Sequence, residues 1–516
     1  MSTSQRPNIL IILTDQQRPD TIAALGNPLI KTPSLDGLVR SGTAFRRAYC
    51  PAPVCAPARQ AMATGVAPHI GMKTENMPTL RRDLVDYAGL LRSAGYQTCG
   101  CGAVQSLDHE EQHVAKRDYF DWFRRQGVPN VIQPLGRSGE YYYVPQMLPI
   151  DEGLMKDGWS VNHAREFLRR RDRDRPFLLD VHLAKPHPPL TVPVPWQYLY
   201  RPTEMPYPNR PADYRRYQSR ANRYQNRYKW MEDACRGDDM FLRTVTAGYY
   251  AAISWIDHLI GGLLEEIGSD IDNTLVIFSC DHGEMLGDYG CVGKRCMLEP
   301  SVRVPLIARL PGYMEAGAEC RGAASTQDLM ATVCEVADVA LPQQVTDPCS
   351  LRQVAGMQPG ARTVFSQISR HWNGQYFAAD GIGSYIWSTA DEREWYFNVA
   401  DHLDQGPILP LDERGSALRQ SLIDRHDGDL FSQAVADGDW RHHDVPANRL
   451  ESDPDYGLLL AEPVEAIQAA VDSLGPGYAR DVSHLAHGHP MAEHLIWSSP
   501  EELEPCYRIL DVTSGE

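Results

Sequence analysis

The chain has 516 residues, 67 acidic against 50 basic side chains, a formal net charge of −17, and 43 % hydrophobic residues. That length exceeds what one ordinary core accommodates, so two domains are expected. The acidic balance argues against nucleic acid or an anionic membrane as the main partner, and no repeat of solenoid or propeller length runs through the chain.

In chain order, the first apolar run, "NILIIL", reads as a strand buried on both faces. It is too short, and too soon followed by Asp15, to be a signal peptide or a membrane span, so a cytoplasmic address is expected. The stretch "YCPAPVCAPARQAMATG" places Cys55 four residues before Arg59, with Pro57 between. A structural core cysteine needs neither neighbour, whereas a reactive one needs a cation. The other cysteines are scattered without CxxC or zinc-type spacing and read as reduced thiols. Leu84, Ala88 and Leu91 recur at helical spacing, and Gly95 closes that run as a C-cap. "PFLLDVHL" (176–183) and "NTLVIFS" (273–279) read as further buried strands, and "VRVPLIARL" (302–310) as another. Between them, Val245, Tyr249, Ala252, Ile256, Leu259, Leu263 and Ile267 form a long helical stripe. Strands alternating with helices imply an α/β domain with a mostly parallel sheet.

The strand ends carry the chemistry. The three strands run into Thr14-Asp15-Gln16, Lys185-Pro186-His187 and Cys280-Asp281-His282-Gly283. Sites in open α/β sheets form beyond the carboxyl ends of strands. Asp15, Asp281 and His282 there make an oxygen-rich site for one divalent cation.

"CAPAR" resembles the C-x-P-x-R signature of the sulfatase family, the alkaline-phosphatase-superfamily branch that includes phosphonate monoester hydrolases. "PNILIILTDQQRPD", "KTPSLDGLVRSGTAFRRAYCPAPVCAPARQAMATG", "KPHPPLTVPVPW" and "DHGEMLGDYGCVGKRCMLEPSVRVPLIARLPG" are similar to the family's motifs in the same order. The resemblance implies an α/β, alkaline-phosphatase-like sheet flanked by helices over residues 1–365. It implies a smaller C-terminal α+β domain over 366–440, on the likeness of "YIWSTADEREWYFNVADHLDQ". The tail, 441–516, lies outside the common core and is read either as an oligomerisation arm, making the enzyme a homo-oligomer, or as a wrap around its own subunit.

The resemblance also implies that a formylglycine-generating enzyme oxidises Cys55 to formylglycine, reading Cys55, Pro57 and Arg59. The hydrated aldehyde supplies the nucleophile, and the reaction passes through a covalent enzyme ester. Asp15, Gln16, Asp281, His282 and residue 55 would hold one divalent cation, Ca²⁺ or Mn²⁺. Arg59 would anchor residue 55, Lys294 would bind a substrate oxygen, His187 would protonate the leaving oxygen, and Asn76 would hydrogen-bond the substrate. Two-metal relatives carry a further histidine past the Asp-His pair; 286–295 has none, so a single ion is expected. Most sulfatases carry G-K-x-H where this chain has Gly102, Ala103, Val104 and Gln105. The missing cation leaves room for an organic substituent, with Gln105 still a donor to substrate, unless Lys73 or Lys185 reaches the same spot. Three functions follow: a small-molecule sulfate ester hydrolase, a phosphonate monoester or phosphodiester hydrolase, and a non-catalytic binder on the same fold.

Overall fold

The structure, a computed structural model, describes residues 6–426 apart from 72–82, 105–107, 115–117, 127–142, 149, 212–213, most of 220–236, 370–373, 392 and 399–409. The strands are β1 (Asn8–Asp15), β2 (Thr43–Phe45), β3 (Ala48–Tyr49), β4 (Gln97–Gly102), β5 (Glu111–Val114), β6 (Gln146–Leu148), β7 (Phe177–Pro186) and β8 (Thr191–Pro193). They continue with β9 (Thr274–Cys280), β10 (Leu306–Arg309), β11 (Ala318–Cys320), β12 (Ala324–Ser325), β13 (Val364–Ile368), β14 (Gln375–Ala379), β15 (Gly383–Ser388) and β16 (Arg393–Asn398). The helices that matter to the site are α1 (Pro33–Ser41), α2 (Cys55–Thr64), α3 (Tyr87–Ser93), α4 (Phe120–Arg125), α5 (Lys156–Arg170) and α6 (Asp239–Ile267).

Eight strands form the central sheet in the order β11-β2-β10-β9-β1-β7-β4-β5. The pairs β9-β1, β1-β7, β7-β4 and β4-β5 are parallel, while β10 runs antiparallel to both its neighbours. The run "NILIIL" lies at the centre because it can be buried on both sides. Ile9, Ile11 and Leu13 enter one apolar layer and Leu10 and Ile12 the other. α6 covers the second layer with the stripe that includes Val245, Ile256 and Leu263. Among the described residues no helix is long and apolar enough to cross a membrane.

Two local readings are adjusted. The strand expected over 302–310 is only Leu306–Arg309. Val302 instead closes a helical turn, Glu299–Val302, and Pro305 has no N–H to give a ladder. The helix around Ala88 begins after Leu84, because Asp86 caps it by accepting from Gly89 N.

β13–β16 form a separate antiparallel sheet in sequential order. The helix Glu413–Arg425 packs Leu418 and Leu422 against Tyr376, Tyr385 and Trp387 of that sheet. The architecture is thus the α/β class expected, with a smaller antiparallel unit beside it. The tail 441–516 lies outside the described residues.

β4 leaves the sheet at Gly102, whose φ is +90° and whose missing Cβ would lie 2.1 Å from the His182 carbonyl oxygen. Only glycine fits there. Gly102→Ala is expected to destabilise the fold by at least about 2 kcal/mol, seen as a lower urea midpoint with an unchanged slope.

Candidate active site

Register places the two aspartates. Thr14 of β1 is paired with Cys280 of β9, so Asp15 and Asp281 leave neighbouring strands side by side. On the other flank Asp15 is paired with Pro186, which sets His187 just beyond the same edge.

α2 brings the third element. Cys55 is its first residue, where a helix N-terminus favours negative charge. Pro57 falls within the first turn, where its missing N–H is one the helix would leave unpaired anyway. Arg59 is one turn on, on the same face as Cys55. Its Nε donates to Asp281 Oδ2 at 2.9 Å and an Nη to Asp15 Oδ2 at 2.6 Å. Its other Nη donates to the Ala103 carbonyl at 2.9 Å. Cys55 Sγ then lies 3.7 Å from Asp15 Oδ1, 3.2 Å from His282 Nε2 and 3.2 Å from Lys294 Nζ.

Gln16 sits at φ +66°, a left-handed conformation uncommon outside glycine. Four contacts hold it there. Its N–H donates to Asp281 Oδ1 at 3.1 Å, and its carbonyl accepts from Tyr249 Oη at 2.6 Å. Its side-chain Nε2 donates to Glu284 and its Oε1 accepts from Lys294 Nζ at 2.9 Å. Glu284 is fully buried. It also accepts from Leu286 N at 2.9 Å, Gly293 N at 2.5 Å and Tyr143 Oη at 3.1 Å. One carboxylate therefore fixes both Gln16 and the loop that delivers Lys294.

The electrostatics follow from burial and pairing. Burial alone would raise Asp281, but His282, Arg59 and Lys294 outweigh it and hold its carboxyl below the usual range. Burial lowers His282, which favours the neutral imidazole that ligates metals. Burial, reinforced by Asp15, pushes the Cys55 thiol up to about 12, so the unmodified thiol is not a ready nucleophile. Asp15 and Asp281 are balanced by Arg59 and Lys294, so a divalent cation added here leaves a net positive centre suited to an anionic substrate. The ligand atoms of Asp15, Cys55, Asp281 and His282 all lie within 4.8 Å of one another, and with an oxygen in place of the Cys55 sulfur the set fits such an ion.

The structure thus gathers Asp15, Gln16, Cys55, Arg59, Asp281, His282 and Lys294. His187 lies at the adjoining strand end with Nδ1 2.5 Å from the Pro188 carbonyl. Asn76, Gln105 and Lys73 fall outside the described residues. Lys185 points into its own loop, donating to the Pro189 carbonyl and to Thr191 Oγ1 at 3.3 Å. Lys156, at the start of α5, lies within electrostatic reach of Asp15 and Arg59.

Several supporting residues carried no signal of their own in the sequence. Besides Glu284 and Tyr249, these include Asp180 and His182 of β7. Asp180 pairs with His182 Nε2 at 2.8 Å and accepts from Tyr87 Oη at 2.8 Å. His182 Nδ1 lies 3.3 Å from the Ala103 carbonyl, the same oxygen that receives Arg59.

A mostly parallel sheet with a paired-aspartate edge, and a small antiparallel sheet beside it, is the alkaline-phosphatase-like architecture. The chain belongs to the sulfatase family: the family model, described as Sulfatase, matches residues 7–339. It is similar to an arylsulfatase of Clostridium perfringens, 29 % identical over 66 % of this chain and 76 % of the relative. It is also similar to a choline-sulfatase of Rhizobium meliloti, 24 % identical over 85 % of this chain and 90 % of the relative. Among solved structures, a phosphonate monoester hydrolase from Silicibacter pomeroyi superposes with a TM-score of 0.68. It is 21 % identical and covers 83 % of this chain and 97 % of its own, a likeness of fold.

Glu284→Gln keeps the shape but turns an amide nitrogen toward donors that now meet a carboxylate oxygen. It is expected to weaken binding of a divalent ion at this site about 10- to 100-fold, read by metal titration of the folded variant.

Proposed function

We propose that this sulfatase-family hydrolase cleaves sulfate esters, using a formylglycine at position 55 and one divalent cation, Ca²⁺ or Mn²⁺. Phosphonate monoesters and phosphate diesters are the alternative substrates of the same centre. The observation that carries the reading is the convergence of Asp15, His282 and Lys294 on Cys55 Sγ, within 3.7 Å. A non-catalytic binder would have no need of that arrangement.

Asp15, Gln16, Asp281 and His282, with residue 55, would hold the cation, which when bound supplies Lewis acidity to the nucleophile and to substrate oxygen. Formylglycine at position 55 would, once hydrated, supply the nucleophilic hydroxyl. Arg59 orients residue 55 through the two carboxylates that it bridges. Lys294, 3.2 Å from the position of the reacting atom, stabilises negative charge developing on substrate oxygens. His187 donates the proton to the leaving oxygen. Ala103 does not supply the positive charge that most sulfatases place at that position, and Lys185 is engaged within its own loop. This favours a centre tolerant of an extra organic substituent.

The test is a panel of sulfate monoesters, phosphonate monoesters and phosphate diesters on protein co-expressed with a formylglycine-generating enzyme. Sulfate esters are expected to be turned over, with the phosphorus esters at comparable rates. A preference for sulfate above roughly 10,000-fold in kcat/KM, about 5 kcal/mol, would refute the tolerant centre, and no turnover of any ester would refute hydrolysis. Mass spectrometry of the tryptic peptide ending at Arg59 is expected to show the aldehyde in active protein; only intact thiol there would remove the formylglycine mechanism. His187→Ala should slow alkyl esters about 100- to 10,000-fold while sparing nitrophenyl esters, whose leaving group needs little protonation. Equal losses would reassign His187 to binding.

A further inference from the structure

At the far edge of the central sheet, away from the paired aspartates, β4 and β5 run parallel with Cys99 opposite Glu111 and Cys101 opposite His113. Directly paired residues present their side chains to the same face. Here that face is the one α5 covers. Two cysteines therefore stand across from a glutamate and a histidine. The Cys99 and Cys101 sulfurs are 3.7 Å apart, and both residues are fully buried. His113 Nε2 lies 2.6 Å from Glu111 Oε1. The ligand atoms of Cys99, Glu111 and His113 all fall within 4.8 Å of one another.

The structure assigns to this edge a second metal site, one for a zinc-like borderline cation, with Cys99, Glu111 and His113 as ligands and Cys101 as the neighbouring thiol. The donor set decides the class of ion. Sulfur, imidazole nitrogen and one carboxylate suit Zn²⁺ and exclude Ca²⁺ or Mg²⁺, which take oxygen ligands. Bonds of about 2.0–2.3 Å to such an ion need ligand atoms about 3.3–3.8 Å apart. Glu111 Oε1 and His113 Nε2, now 2.6 Å apart, would separate to admit the ion, and Cys99 Sγ lies within 4.8 Å of both ligand groups. The His113 ring is already held in place, stacked on His163 with centroids 4.0 Å apart and edge-on to Trp159. Arg170 pairs with Glu111 through one carboxylate oxygen, Oε1, which leaves the other for an ion. Glu111 and His113 side chains are 28 % and 21 % exposed, so an ion can enter from solvent.

An ion pair of Glu111, His113 and Arg170 explains part of this cluster without a metal. It does not explain the buried Cys99 thiol within 4.8 Å of the ligand atoms of that pair, on the strand facing it. Cysteine spacing along the sequence gives no hint of the site, because its ligands lie on two adjacent strands and no CxxC is involved. Its effect would be structural. It clasps the edge strand β5 to β4, just upstream of Gly102 and the Ala103 carbonyl that holds Arg59 at 2.9 Å.

The experiment uses the full-length chain carrying Cys55→Ser, which removes the thiol that faces Asp15, His282 and Lys294 in the catalytic centre. Cobalt(II) is titrated while the thiolate-to-cobalt charge-transfer band is followed. The expected result is a saturable band, displaced by Zn²⁺, and lost when Cys99→Ser is added. Adding His113→Ala instead, a change at a partly exposed side chain that keeps the test open should Cys99→Ser misfold, should weaken cobalt binding at least about 10-fold. Zinc should also raise the melting temperature of the Cys55→Ser chain by more than that of Cys55→Ser/His113→Ala. The proposal is overturned by the absence of a band in the Cys55→Ser chain. It is equally overturned by a band of undiminished affinity in a folded Cys99→Ser or His113→Ala variant.

Discussion

The structure turns on the guanidinium of Arg59, which bridges two carboxylates, on Asp15 and Asp281, with almost no exposure to solvent. Two aspartates forced side by side by strand register repel each other in a low-dielectric environment. The bridging cation makes their neighbouring charges tolerable, and burial strengthens the attraction. Breaking such a buried arrangement typically costs about 3–5 kcal/mol because the charges left behind are unpaired. Since Arg59 is one helical turn from residue 55, the same bridge fixes where the N-terminus of α2 meets the sheet. The place of the nucleophile and the balance of charge are therefore one constraint.

Around that bridge the chain arranges a shell of groups that act through others. Glu284 carries four donors and so fixes Gln16 in an otherwise unfavourable backbone conformation. Asp180 and His182 hold the Ala103 carbonyl that takes the third guanidinium bond. Asp180 is fully buried and kept ionised: burial would raise it, but His182 and His109 hold it well below the carboxylate range. These groups convert strand ends and loops, the least constrained parts of an α/β fold, into a rigid frame.

How much of this could be read from the amino-acid order depends on how local each signal is. Cys55, Pro57 and Arg59 form one turn of helix, and Asp281-His282 one strand end, so short motifs display them. The central strands are legible because burial on both faces demands unbroken apolar runs. β10 was overestimated because Val302 and Val304 are apolar for a different reason: they pack around a helical turn and a proline. Glu284, Asp180 and Tyr249 are illegible for the opposite reason. Each meets its partner only across the fold; Tyr249 sits within an apolar helical stripe, yet its hydroxyl holds the Gln16 carbonyl. The thiols of β4 and the Glu111–His113 pair are similarly hidden, since lateral pairing of strands is not written in linear spacing.

The sequence distance between the halves of the centre has a consequence in time. Cys55 and His282, which meet at 3.2 Å, are 227 residues apart along the chain. At ribosomal rates of about 5–20 residues per second, roughly 10–45 s pass between synthesis of the first and arrival of the second. During that interval α2 has no Asp281 to dock against, and residue 55 is not enclosed by the finished sheet edge. The order of synthesis thus opens a period of access to a side chain that the completed fold then surrounds. Codon usage or pausing between these two points would set its duration without changing a single atom of the folded enzyme.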